Sequence, residues 1–310
     1  MFRNGDLVVY DSPNNKIMYS GSEKQLNEKK SIKPHFYRKN LLAGLKLRIK
    51  DFASSAESLY RYKMACLRKD YLLFENQELQ IGIITSLTGK ERGSEDILKM
   101  ILFFGNKSLL PLRDFTVEFS EVGNASLFKK PEPLSPFIES KGQVKQQLLF
   151  SFDQWPLQTP QFSGSYRVGG KRVTFDSFLP TLITHFMTFR KFDKDRFDSQ
   201  FYRDGGLIVS SDEVELDTSI TKSIDDFRTF FPSLSVLNEQ NKSSGYHYQE
   251  NVELGGAISL FGSNYEEPDY LLKIKLTPQQ TAVFTLAAEE GNSEFVDVIL
   301  ETLTFLFGKE

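Results

Sequence analysis

One cysteine, one tryptophan and three histidines are all that this chain of 310 residues holds of the residues that most often build metal or redox sites. The single thiol, Cys66, cannot close an internal disulfide. His35, His185 and His247 stand at no metal-ligand spacing from one another or from Cys66. No apolar run approaches the roughly 18 residues that a membrane-spanning helix needs. The opening MFRNGDLVVYD lacks the apolar core of a signal peptide. No charge of one sign dominates: 38 Lys and Arg face 41 Asp and Glu, a net of −3, which argues against a dedicated nucleic-acid binder. These absences place the chain in the cytosol, with the sequons at Asn106, Asn124 and Asn241 unused.

What is present is an ordinary soluble composition, 40% hydrophobic and 25% charged, in a length that suits about two domains. Such a chain can bury a core. Its 28 Phe and 12 Tyr favour strands. Charge is unevenly spread. Residues 1–69 carry 15 basic and 6 acidic residues, net +9, and the remainder carries net −12. Residues 1–35 show no sustained period and read as linker. A basic, helix-compatible stretch around Leu41, Leu42, Leu45 and Ile49 follows, interrupted at Ser54-Ser55. It is either a solvated face or a contact for an acidic surface.

From residue 71 the pattern is that of strands, at 71–74, 78–87, 97–104, 113–121, 144–152, 161–168 and 171–178. Gly169-Gly170 joins the last two as a two-residue hairpin, since both glycines can take positive φ. Seven or eight strands in about 110 residues favour a β-sandwich. After Leu179-Pro180 the spacing of Ile183, Phe186, Phe189, Phe192, Phe197 and Phe201 turns helix-like, and 217–231 reads as a second helix ended near Pro232. Strands are expected at 253–262 and 270–276, while 279–288 suits either strand or helix. A final helix is expected with Ser293 as cap and Phe295, Val296, Ile299, Leu300, Leu303 and Leu306 as its apolar face.

Nothing in this pattern is catalytic. Cys66 sits in an apolar run and reads as a small buried hydrophobe. The segment from Gly164 to Arg172 has a phosphate-loop look but the wrong glycine spacing, Arg172 in place of Ser or Thr, and strands on both sides. The acidic pairs Glu266-Glu267 and Glu289-Glu290 fall in turns. The residues alone describe a binder more readily than an enzyme.

Several segments are more specific. Leu73–Ile83, LFENQELQIGI, resembles the first long strand of the α-adaptin appendage, the ear domain of the plasma-membrane clathrin adaptor, whose members read close to LFENQLLQIGL. Ile101–Ser108 is similar to the family's IFYGNKT, Gly142–Gln147 to AQVQQ, and Tyr166–Gly170 to FRYGG, and Leu179-Pro180 opens a platform as in the family. The matches fall in family order over about residues 60–310, closely in the sandwich and loosely in the platform. The resemblance implies a mixed β and α+β fold: a hinge or linker at 1–59, basic and partly disordered or helical, an immunoglobulin-like β-sandwich at 60–178 and an α/β platform at 179–310.

It also implies a non-catalytic recruitment module that needs no cofactor or metal and gathers endocytic accessory proteins through short linear motifs, each contact weak and many acting together. On the platform, the family helix DFFQRWKQL resembles Arg196–Arg203, so Phe197 matches its first Phe and Phe201 its Trp, while Asp198 replaces the second Phe. The family's LLRLE resembles Leu271–Lys275, making Lys273 the counterpart of the motif-binding Arg and Lys275 that of the Glu. Lys lacks the forked donor of Arg. Phe197 and Phe201 are either this aromatic surface or helix core at i, i+4 spacing. A second family site on the sandwich implies roles for Gly105, Asn106 and Lys107 with Gln146 or Gln147, although Gly105-Asn106 also suits a plain hairpin turn. Near the N-terminus, Leu7, Val8, Tyr10 and Asp11 resemble a clathrin box, making clathrin a further partner.

The implied setting is cytoplasmic and peripheral, at clathrin-coated pits of the plasma membrane. The rest of the adaptor would be reached through the N-terminal hinge, membrane association would be indirect, and nucleic acid is no partner. The appendages of β-adaptin and coatomer γ share the two-part plan and stand as alternatives, with a cryptic enzyme as a reading of a different class.

Overall fold

A computed structural model describes residues 2–3, 6–11, 16–21, 55–88, 97–120, 125–127, 131–152, 159–190, 192–202, 207–221, 223–237, 252–260, 269–289 and 295–309. The chain forms two compact units, Met1–Gly44 and Leu45–Glu310. In the first, β1 (Phe2–Arg3), β2 (Asp6–Asp11) and β3 (Lys16–Gly21) make an antiparallel meander with β2 in the middle. The strands at 2–3, 6–11 and 16–21 therefore depart from the linker expected over 1–59. The run Leu7-Val8-Val9-Tyr10, with its valines and tyrosine, favours pairing. The basic stretch around Leu41 to Ile49 lies outside the described residues.

The second unit opens with α1 (Ala56–Leu67), whose first turn is capped by the Ser55 hydroxyl accepting from the Ser58 N–H at 3.2 Å. The helix spans the expected boundary at 59/60, and Ser55, of the serine pair read as an interruption, caps it. Nine strands follow: β4 (Asp70–Glu75), β5 (Leu79–Thr88), β6 (Ile97–Asn106), β7 (Leu112–Ser120), β8 (Ala125–Leu127), β9 (Phe137–Ile138), β10 (Gln143–Phe152), β11 (Gln161–Val168) and β12 (Lys171–Phe178). They form two antiparallel sheets, ordered β4-β5-β6-β10-β8 and β12-β11-β7-β9. Alternation sends Leu79, Ile81, Ile83, Leu102, Phe104 and Leu148 inward, against Phe115, Phe162 and Phe175 of the facing sheet. Gly164 is required where it stands, because a Cβ there would collide with Phe175 Cζ and the Thr116 carbonyl. Gly169 and Gly170 take φ of 56° and 81°, the conformation that the hairpin demands.

Beyond a 3₁₀ turn at Ile183–Phe186, the chain makes β13 (Met187–Arg190), α2 (Lys194–Phe201), β14 (Leu207–Glu215), α3 (Ile224–Phe230), β15 (Ser235–Val236), β16 (Val252–Leu260), β17 (Tyr270–Leu276), β18 (Thr281–Glu289) and α4 (Val296–Phe307). The strands form a six-stranded antiparallel sheet ordered β13-β16-β17-β18-β14, with β15 paired to β16. The 181–203 stretch, helix-like in spacing, is thus divided between a 3₁₀ turn, a strand and a helix. Ser293 lies outside the described residues, and Phe295 occupies the cap position of α4. One sheet face carries Leu254, Leu272, Ile274 and Phe284, packed against α3 and α4, where Phe227 and Phe307 stack at 4.9 Å. The other face is covered at one end by α2.

Helix α1 ties the sandwich to the platform. The Tyr62 ring meets Phe178 of β12 at 6.2 Å and Phe305 of α4 at 6.4 Å, and its hydroxyl shares a hydrogen bond with Thr159 at 3.0 Å. Fully buried Lys63 donates from Nζ to the Gly308 carbonyl at 2.8 Å. The Thr184 hydroxyl donates to the Cys66 carbonyl at 3.1 Å. Burial pushes the Cys66 thiol up, as expected of a thiol that acts as core.

His185 sits in the same junction. Neither ring nitrogen has a hydrogen-bond partner in good geometry, and burial pulls its pKa down to about 4, outweighing the nearby Leu182 and Ala65 carbonyls. The folded protein therefore holds His185 neutral where the unfolded chain, with an ordinary value near 6.5, takes up a proton. Stability contributed by the neutral ring is complete above about pH 6.5 and falls as pH drops toward 4, by up to about 3 kcal/mol. Urea melts at stepped pH should show this slope in the wild type and a flatter one in His185→Gln. Equal slopes in both would contradict it.

Candidate functional site

The pleat of β16, β17 and β18 decides which side chains reach the sheet face opposite α3 and α4. Glu253 lies opposite Lys275 and Gly255 opposite Lys273, while Lys273 and Lys275 lie opposite Thr285 and Val283. Phe197 and Phe201 do not stand exposed on that face. They are 1% and 9% exposed and stack on each other at 5.1 Å, within a cluster with Phe192, Leu237, Ala257, Leu271 and Ala287. The i, i+4 spacing places both rings on the inner side of a short amphipathic helix, so the expected aromatic surface of these two residues is corrected to core.

The aromatic that faces solvent is the next residue. Tyr202, 60% exposed at the end of α2, stands edge-on to Phe201 at 5.3 Å. Its hydroxyl accepts from Lys273 Nζ at 2.7 Å, and Glu253 pairs with the same ammonium at 3.2 Å. Burial by itself would lower the Lys273 pKa, but the contacts to Tyr202 and Glu253 outweigh it and the value is raised. Val209, on edge strand β14, adds exposed apolar surface to this face, and Lys275 stands half-buried on it. The arrangement offers a bulky amphipathic ring beside a fixed cation, suited to an aromatic anchor with an acidic neighbour. Sequence gave no sign of Tyr202, because helical spacing alone does not say which of two adjacent aromatics points inward.

On the sandwich, the expected residues do not form one surface. Asn106 is buried; its Nδ2 donates to the Leu110 and Glu139 carbonyls at 2.8 and 2.9 Å, and its Oδ1 accepts from the Ser108 N–H. Lys107 Nζ is held by Glu75 at 2.6 Å and by the Asn76 carbonyl, and with Arg61 it holds the Glu75 carboxyl below its ordinary range. Gln146 points inward, donating to the Glu132 carbonyl at 2.9 Å with its Oε1 unpartnered. Gln147 points outward opposite Ile101, on the same face as Gly105 opposite Gln143. Between them Phe103 lies half-buried, flanked by Lys145 on β10 and Gly82 on β5, with exposed Ile84 nearby. Phe103 was within the matched IFYGNKT-like segment, but only the strand register shows that it centres this face.

The clathrin-box-like residues Leu7, Val8, Tyr10 and Asp11 all lie on β2, whose backbone pairs with β3 along this run and with β1 at Leu7. Among the described residues no group of three or more His, Cys, Asp or Glu is placed to hold a metal ion. No helix among them is long and apolar enough to cross a membrane.

The chain is similar, over part of its length, to known proteins. Over 226 residues, 71% of its length, it is 23% identical to the AP-2 complex subunit alpha-2 of Dictyostelium discoideum and spans 21% of that protein. Among solved structures it is similar to the GAE domain of GGA2p from Saccharomyces cerevisiae, with a TM-score of 0.31 and 18% identity over 37% of this chain and 97% of that one. It is also similar to the yeast GGA1 GAE domain, with a TM-score of 0.29 and 19% identity over 35% of this chain and 97% of that one. No family model matches the chain.

Burial of Phe201 has a direct consequence. Phe201→Ala should cost about 3–5 kcal/mol of unfolding free energy. Equilibrium denaturation measures it, and a loss below about 1 kcal/mol would show that the ring is not core.

Proposed function

We propose that this protein is an adaptor-appendage-like interaction module of vesicle trafficking, without catalytic activity, cytoplasmic and coat-associated. It captures partner proteins through short peptide segments. The observation that carries this reading is the 226-residue similarity to an adaptor α subunit, in a chain built as a sandwich followed by a platform. The finer reading is an α-adaptin-type appendage serving endocytic accessory proteins at clathrin-coated pits. Its support is the ordered series of matched segments, from Leu73–Ile83 to Leu271–Lys275.

The platform surface of this reading centres on Tyr202 and Lys273. A peptide's aromatic ring packs on Tyr202 and the adjoining apolar face, and its carboxylate competes with Glu253 for Lys273. That competition, and the absence of a forked Arg, keep affinity modest, in the micromolar to millimolar range or about 4–8 kcal/mol. The outer sandwich face around Phe103, with Gly105 and Gln147 at its ends, is a second surface of the same kind.

Fluorescence titration with an acidic peptide bearing one Phe tests the platform surface. Tyr202→Ala and Lys273→Ala should each weaken binding about tenfold while the exposed position of Tyr202 leaves the melting temperature of its variant unchanged. Equal affinity for wild type and both variants would remove the platform surface from the proposal.

A further inference from the structure

The end of the sandwich formed by the β6–β7 loop and the β11–β12 turn presents strongly exposed apolar side chains. In the loop between β6 and β7, Leu109 is 82% exposed and Leu110 51%, with exposed Phe137 on neighbouring β9. Large exposed apolar groups clustered on a surface are informative where scattered ones are not. These are also held firmly. The buried Asn106 amide bonds the carbonyls of Leu110 and Glu139, the Ser140 hydroxyl donates to the Ser108 carbonyl, and Lys141 Nζ donates to the Lys107 carbonyl. Leu110 rests beside the β11–β12 turn, its Cδ1 3.6 Å from where a Cβ on Gly169 would lie. A fixed backbone means little ordering cost when the leucines are buried by a partner.

Cations surround this prong. Lys141 lies in the adjoining turn, Arg113 stacks over the Phe137 ring at 5.7 Å, and Lys171 and Arg172 leave the Gly169-Gly170 turn. All four are exposed, and none has a carboxylate partner among the described residues. Arg167 is paired with Asp114 and Lys107 with Glu75, and Glu139 is the exposed acid in the same turn. The leucines project rather than line a groove, so their occupant must yield around them, and the cations require it to be anionic.

We propose that this end of the sandwich docks on an anionic lipid surface, with Leu109 and Leu110 entering the headgroup–acyl boundary and Arg113, Lys141, Lys171 and Arg172 meeting the headgroups. The inference stands apart from the peptide surfaces and replaces the expected indirect membrane association with a direct, weak one. The full chain should sediment with vesicles of phosphatidylcholine containing phosphatidylserine, but not with phosphatidylcholine alone, and raised salt should release it. A Leu109→Asp, Leu110→Asp double variant should lose at least about tenfold in vesicle affinity with an unchanged melting temperature, and Lys171→Glu should also weaken vesicle binding. No sedimentation with the anionic vesicles, or sedimentation indifferent to the leucine substitutions, would overturn the proposal. Leucine-dependent self-association without vesicle binding would overturn it in favour of a second copy as the occupant.

Discussion

Helix α1 is the constraint on which the rest of the second unit depends. It contributes one ring and one amine to a place where β12 and α4 meet, and both groups are buried. Lys63 reaches the Gly308 carbonyl just after α4 ends, at a residue with no space for a side chain, since a Cβ there would stand 2.5 Å from the Thr304 carbonyl and from Val214. Tyr62 fills the gap between the last sandwich strand and the platform helix. A buried polar group left without its partner costs about 1–3 kcal/mol, so these contacts favour one arrangement of sandwich and platform over others.

That arrangement determines what each sheet can offer. The platform sheet spends one face on α3 and α4, and the covered end of its other face on α2. Among the described residues, the strip from Tyr202 through Lys273 to Lys275 is left without a covering element. The sandwich spends its inner faces on a Phe-rich core, leaving Phe103 and its neighbours outside. On the proposed function, these shallow surfaces are held in fixed relation. Weak contacts then act together only if a partner's spacing suits that relation.

Much of this was legible in the residues. Strands β11 and β12 fall at 161–168 and 171–178 as alternation places them, because a Gly-Gly turn pins both ends at once. Leu207–Glu215 carries no readable alternation, because on edge strand β14 the apolar Ile208 and Val209 are exposed while Ser210 and Asp212 are half-buried. The expected boundary at 59/60 falls inside α1 (Ala56–Leu67), whose buried residues Tyr62 to Cys66 are consecutive and so show no helical stripe in the residues. At the candidate site, Lys273 and Lys275 were named on the resemblance and lie on the same sheet face, whereas Phe201 is core and its neighbour Tyr202 is exposed. One residue step around a helix is about 100°, enough to turn a ring from core to solvent, and only the packing of α2 on Leu271 and Ala287 fixes that rotation.

The central claim, that α1 makes sandwich and platform one cooperative body, is tested most directly by native-state hydrogen exchange resolved by segment. Amides of β11 in the sandwich and β17 in the platform should open with the same free energy, and Tyr62→Ala should lower both together. Different opening energies for the two strands, with only one of them responding to Tyr62→Ala, would contradict it.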